Sequence, residues 1–163
     1  MKKHPLGGGL VAETATVHPT AFVDHDCEVL DAAVVGENCT VAEGAVVFGN
    51  AVLQNGSVVE NGAKVGGSAF LNATVIHGDV TLTKTPITID GFEQQIVVAH
   101  DFIIVGCQTI SIQEWQNRSL ALLRANGFPK MSAERIRDSI NVVYECYKSV
   151  YHEDDLKKAY QPG

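Results

Sequence analysis

The chain has 163 residues, 45% of them hydrophobic and 19% charged, the composition of a folded domain with enough apolar material for a core. With 12 Lys plus Arg against 19 Asp plus Glu, the net charge of -7 gives no basic footprint for a nucleic-acid duplex and would repel an anionic membrane. No signal-peptide pattern opens the chain and no run approaches the roughly 20 apolar residues that span a bilayer, so a soluble, cytoplasmic protein without a membrane partner is expected.

Residues 1–14 read as a lead-in containing His4-Pro5-Leu6-Gly7-Gly8-Gly9. A flexible glycine run is the simpler reading, and close approach to a ligand is the alternative. From residue 15 to 80 a repeat takes over. Stepping by six from Val17 meets Val23, Val29, Val35, Val41, Val47, Leu53, Val59, Val65 and Leu71 without interruption, and the residue two places before each is Ala, Cys or Ser. Neither a helix nor an isolated strand keeps period six. A short strand that turns a corner every six residues does, with the aliphatic side chain inside and the small one beside the corner. Corner positions include Asn38, Gly44, Asn50, Asn55, Gly56, Asn61, Gly62 and Gly67, residue types that tolerate positive φ. Cys27 and Cys39 sit in the small row. With Cys107 and Cys146 they form no CxxC pair, so all four read as structural and no metal site is signalled.

The segment resembles the hexapeptide-repeat family, whose members include acyltransferases, nucleotidyltransferase domains and γ-class carbonic anhydrases. The resemblance implies a mainly β fold, a left-handed parallel β-helix, and a homotrimer; it says little about activity. Sorting outward positions at 18-residue steps gives one face with Thr16, Val34, Val52 and Phe70, a second with Phe22, Thr40, Val58 and Ile76, and a third with Glu28, Val46 and Lys64. The first two are apolar enough to suggest subunit contacts.

At the eleventh step His77 falls in the aliphatic slot, within Val75-Ile76-His77-Gly78-Asp79-Val80. Residues 81–112 read as irregular extra coils or a small sheet that continues the stack, with Asp90-Gly91 as a hairpin signal between Ile87/Ile89 and Ile96/Val98. Residues 113–163 read as a C-terminal α-helical hairpin capping the open end of the β-helix. Ser111 and Glu114 have capping-box spacing, and Gly127-Phe128-Pro129 stops the first helix. In the second, starting near Ser132, Ile136, Ile140, Val143, Tyr144, Tyr147, Val150 and Tyr151 make one apolar stripe. The amino-terminal motif, the repeat and Ile104-Val105-Gly106-Cys107-Gln108 leading to Glu114-Trp115 together resemble small bacterial and phage-encoded hexapeptide proteins of unassigned activity. That implies a bacterial cell or phage-infected host and carries over no catalytic residue.

Carbonic anhydrase chemistry needs three converging imidazoles. His18, His25, His77, His100 and His152 lack the His-x4-His spacing that the γ-class resemblance calls for. Acyl transfer needs a general base, for which His77 and His100 are candidates, with Asp79 and Asp101 near enough to orient them. A binding role needs only a groove. His18, Gly36, Gln54 and Asn72 stack just after the aliphatic row, and Lys64, His77, Asp79 and His100 can add charge or donors. The expectation is a trimer that binds or sequesters a phosphorylated small molecule, a nucleotide or coenzyme A, at subunit boundaries through His18, Gln54, Asn72, Lys64, His77, Asp79 and His100. An acyl-CoA-dependent O/N-acyltransferase and a purely structural trimerisation module are the alternatives.

Overall fold

The computed structural model describes residues 1–151. His152 and the remainder of the expected C-terminal cap lie outside them. The chain forms two compact units, Met1–Pro86 and a second beginning at Ile87.

The first unit is a left-handed parallel β-helix. Thr16–Val17, Val34–Val35, Val52–Gln54 and Phe70–Asn72 stack into one sheet, here the Phe70 face. Phe22–Val23, Thr40–Val41, Val58–Glu60 and Val75–His77 form the Phe22 face. The Lys64 face holds Leu10–Val11, Glu28–Val29, Val46–Val47, Lys64–Val65 and Thr81–Leu82, edged by antiparallel Lys2–Lys3.

Each two-residue strand sends one side chain in and one out. The inward ones, Val23 through Leu71, are fully buried, and so is the small row from Ala21 to Ala69. Backbone polar groups find partners one coil away. The Thr16 N–H donates to the Ala33 carbonyl at 3.0 Å and the His18 N–H to the Val35 carbonyl at 2.8 Å, and at some corners a side chain serves instead, as Asp31 Oδ2 does for the Gly49 N–H. Each buried aliphatic contributes on the order of 1.5–3 kcal/mol. At the Asn55-Gly56 and Asn61-Gly62 corners both residues have positive φ, at 54° and 72° and at 56° and 76°. Asn50 does not share that conformation; the left-handed residue of its corner is Gly49, at 62°.

The solenoid starts earlier than the repeat count suggests. Val11 is buried and pairs with Val29. The segment before it is fitted rather than loose. His4 is buried with Nε2 2.7 Å from the Ala21 carbonyl, the Gly9 N–H donates to the Val23 carbonyl at 2.9 Å, and the Val23 N–H donates to the Leu6 carbonyl at 3.0 Å. A Cβ on Gly7 would collide with the Val23 carbonyl, and one on Gly9 with the Val23 side chain. These glycines let the chain lie flat across the first coil.

The break at His77 has a different origin from a polar residue in the core. Val59 pairs with Ile76, 17 residues on, where Val41 and Val59 are 18 apart. One corner residue is missing after Asn72. Ala73 turns the chain at φ 50°, and Thr74 takes the small slot, its N–H donating to Ser57 Oγ at 3.1 Å. Ile76 therefore fills the interior, the outward residue on the Phe22 face is Val75, and His77 lies one place past the core, paired with Glu60. The shifted row continues to Leu82.

The second unit is an antiparallel sheet of Ile87–Ile89, Ile96–Val98, Phe102–Val105 and Gln108–Ser111, followed by helices α1 (Ile112–Ala125) and α2 (Lys130–Val150). It is a meander with its own core, not further coils. Asp90-Gly91 opens the six-residue connection between the first two strands, and Gly106-Cys107 makes a two-residue hairpin with Gly106 at φ 59°. Ser111 Oγ caps α1 by accepting the Glu114 N–H at 3.2 Å, while the Glu114 carboxylate turns to Arg118 instead of completing a capping box. Ile136 and Ile140 of α2 pack with Trp115 and Leu123 of α1 on Ile96, Val98, Ile103 and Val105 of the sheet. The expected stripe ends before Val150, which is 67% exposed.

Two substitutions separate these constraints. Val41→Asp should abolish cooperative unfolding by burying a carboxylate in the interior row, and Val41→Ala should cost about 2 kcal/mol. Gly9→Ala should lower the melting temperature by several degrees; a calorimetric melt identical to the parent would show that the cap is not fitted as described.

Candidate functional site

Where each outward residue lies decides what the β-helix can do. The edge between the Phe70 and Phe22 faces carries His18, Gly36, Gln54 and Asn72 in one column, since Gln54 pairs with Asn72 and the His18 and Gly36 amides donate one coil up. Beside it Asn55 Nδ2 donates to Asn72 Oδ1 at 2.6 Å. His18 Nδ1 is held by the Thr20 N–H at 3.1 Å and lies 2.8 Å from its hydroxyl, which leaves Nε2 outward on an exposed ring. Exposed Glu37 follows Gly36 on this edge; flanking it, the outward rows of both faces are uncharged, with Glu60 at the far end of its strand. Thr16, Val34, Val52 and Phe70 stand on one, and Phe22, Thr40, Val58 and Val75 on the other, with Phe22 40% and Phe70 41% exposed.

The next edge, between the Phe22 and Lys64 faces, is acidic. Asp24, Asp26, Glu43, Glu60 and Asp79 lie along it with His25 and His77. His77 is only 7% exposed, while Asp79 is open to solvent. Lys64 stands exposed on the third face between Val46 and Thr81. Of the sequence-nominated residues, one chain thus unites His18, Gln54 and Asn72. Lys64 falls on another sheet, His77 and Asp79 lie across the Phe22 face, and His100 belongs to the second unit.

Among the described residues, His25 and His100 each pair with a neighbouring aspartate. His25 Nδ1 lies 2.8 Å from Asp24 Oδ1, and the His25 N–H donates to the same oxygen. This pair raises the His25 pKa and lowers that of Asp24. Adjacent Asp24, His25 and Asp26 bring their ligand atoms within 4.8 Å, and among the described residues this is the group that clusters so closely; with one imidazole it is not the three-histidine set of a carbonic anhydrase. The triplet was visible in the sequence, but only the corner shows that it closes on itself. In the second unit His100 Nδ1 lies 2.8 Å from Asp101 Oδ1, in the turn at residues 99–101, and the Tyr144 hydroxyl donates to the His100 carbonyl at 3.1 Å. Burial pushes the Tyr144 phenol up.

The cysteines divide. Cys27 and Cys39 are buried, and burial pushes the Cys27 thiol up to about 11. Cys107, at the tip of its hairpin, and Cys146, on α2, are exposed, so burial accompanies the structural reading for two of the four.

No helix among the described residues is long and apolar enough to cross a membrane. Comparison with protein-family models, curated proteins and solved structures finds no match.

Two measurements follow from this geometry. A thiol reagent should titrate two cysteines in the native protein and four in denaturant; reaction of all four without denaturant would contradict the buried row. In an NMR titration His25 should hold its proton to higher pH than a free histidine, and Asp24→Asn should bring the midpoint down. By linkage, the His25 share of this small contribution to stability is complete below its unfolded pKa and is lost as pH rises through the folded one. The Asp24 share is lost as pH falls through its lowered value.

Proposed function

We propose that the chain assembles as a homotrimer through its Phe70 and Phe22 faces and binds a small molecule at the subunit boundary, along the column of His18, Gln54 and Asn72. The observation that carries this reading is the segregation of charge. On a chain of net charge -7, five carboxylates gather on one solenoid edge, whereas the edge bearing the amide column carries one, Glu37, and is flanked by two faces with uncharged outward rows and exposed Phe22 and Phe70. Copies meeting there avoid like-charge repulsion and bury apolar surface.

The column offers amides and an imidazole, groups that read the edge of a base or the amides of a pantetheine arm. It contains no Lys or Arg, so a nucleotide or coenzyme A would need a cation for its phosphates from another copy, Lys64 being the candidate. Binding without turnover, and hence sequestration, is the preferred reading, because the column brings no general base together with an orienting carboxylate.

A second reading rests on His100. With Nδ1 engaged by Asp101, its Nε2 has the arrangement of a general base for an acyl acceptor. A thermal-shift screen of nucleotides, cyclic dinucleotides and acyl-CoAs distinguishes the two. The binding reading expects a shift of several degrees with one class, ligand recovered unchanged, and at least ten-fold weaker binding in Gln54→Ala and Asn72→Ala. Acyl transfer lost in His100→Ala would favour the second reading. No shift with any class would leave a trimerisation module.

A further inference from the structure

The second unit contains a groove that the sequence did not bring to notice. It lies between the first two strands of the meander and the amino-terminal half of α2, has a volume of about 410 Å³, and is floored by Ile89, Phe92, Ile96, Ile136 and Ile140. That volume is within the range of small-molecule sites. Ser132, Arg135 and Ser139 form one lip. Their spacing of three and four residues puts them in a row beside the Ile136–Ile140 row, over two turns of helix or roughly 10 Å.

The lip carries one cation, Arg135, with Glu134 and Asp138 exposed on the same two turns of helix. Arg118, Arg137 and Lys148 of the two helices each sit against a carboxylate, whereas Arg135, like Arg124 and Lys130, makes no ion pair among the described residues, and of these three it is the one at the groove. Ser139 Oγ donates to the Arg135 carbonyl at 2.9 Å, which keeps its lone pairs available and fixes the hydroxyl along the lip. Apolar walls of this length beside a single guanidinium suit a ligand with a linear apolar body and one anionic end. A guanidinium pairs with a carboxylate through two parallel hydrogen bonds, while the isoleucines gain by removing methylenes from water at about 0.8 kcal/mol each. Two helical turns match a medium-length acyl chain better than a long one.

We infer that this groove binds a free medium-chain fatty carboxylate, its chain against Ile89, Phe92 and Ile136, over the buried Ile96 and Ile140, and its carboxylate on Arg135. The site is independent of the amide column of the β-helix. A loss of binding at either leaves the other standing.

Decanoate and decanol, titrated into the full chain below their micelle or solubility limits, test it by calorimetry and by the isoleucine methyl signals. Decanoate should saturate the protein and shift the methyls of Ile89, Ile96, Ile136 and Ile140 while leaving Ile76 in place, with decanol at least ten-fold weaker. Arg135→Gln, at an exposed position that should not disturb folding, should weaken decanoate at least ten-fold and leave decanol unchanged. Phe92→Ala should weaken both. Absence of saturable binding, equal affinity of Arg135→Gln for decanoate, or groove methyls that move only with protein concentration would overturn the proposal, the last by assigning the groove to a second copy of the chain.

Discussion

One aliphatic side chain must enter the interior every six residues, and almost every other feature of the first unit follows from that. The constraint fixes strands of two or three residues and places small residues beside the corners. It also forces the strand N–H groups to find carbonyls one coil away, as Thr16 does with Ala33, while the small-row amides close their corners three residues back. Because alternate residues leave the strand on opposite sides, the same constraint assigns each outward side chain to a face, and so determines which chemistry is displayed together. The amide column and the uncharged outward rows beside it are by-products of core register.

The register also shows how little change is needed to redirect a site. Deleting a single corner residue before Thr74 moves Ile76 into the core and rotates His77 to the neighbouring edge, beside Glu60. The cost is kept low because Thr74 reuses the Ser57 hydroxyl to replace the lost corner contact. A histidine that looks like a core interruption is thus a residue of the acidic edge, away from the amide column.

Legibility in the sequence tracked the range of the interactions. The aliphatic row, the Ser111 cap and the stop at Gly127 depend on neighbours within six residues, and they could be read directly. Val11 was missed because the segment before it gives no repeat, only a cap whose glycines are explained by contact with Val23. The five-residue step at Ile76 was missed for a related reason: periodicity reports a break without saying whether a residue was substituted or lost. The candidate site was legible as far as the column of His18, Gln54 and Asn72. It was not legible for Lys64, His77, Asp79 and His100, which distance along the chain cannot assign to a shared edge. The groove under Arg135 needs a strand pairing and a helix packing that no local pattern encodes.

In both units, function is proposed where neutral or apolar surface meets a few oriented polar groups, and in the β-helix most carboxylates lie off the edge that carries them. For the β-helix this predicts an association insensitive to screening, since the outward rows of the meeting faces carry no charge while the rest of the chain repels itself. Sedimentation velocity of the unmodified protein from low to high salt tests this most directly. The account predicts a species of three chains that persists or strengthens as salt rises; a monomer throughout, or a trimer that dissolves in salt, would contradict it.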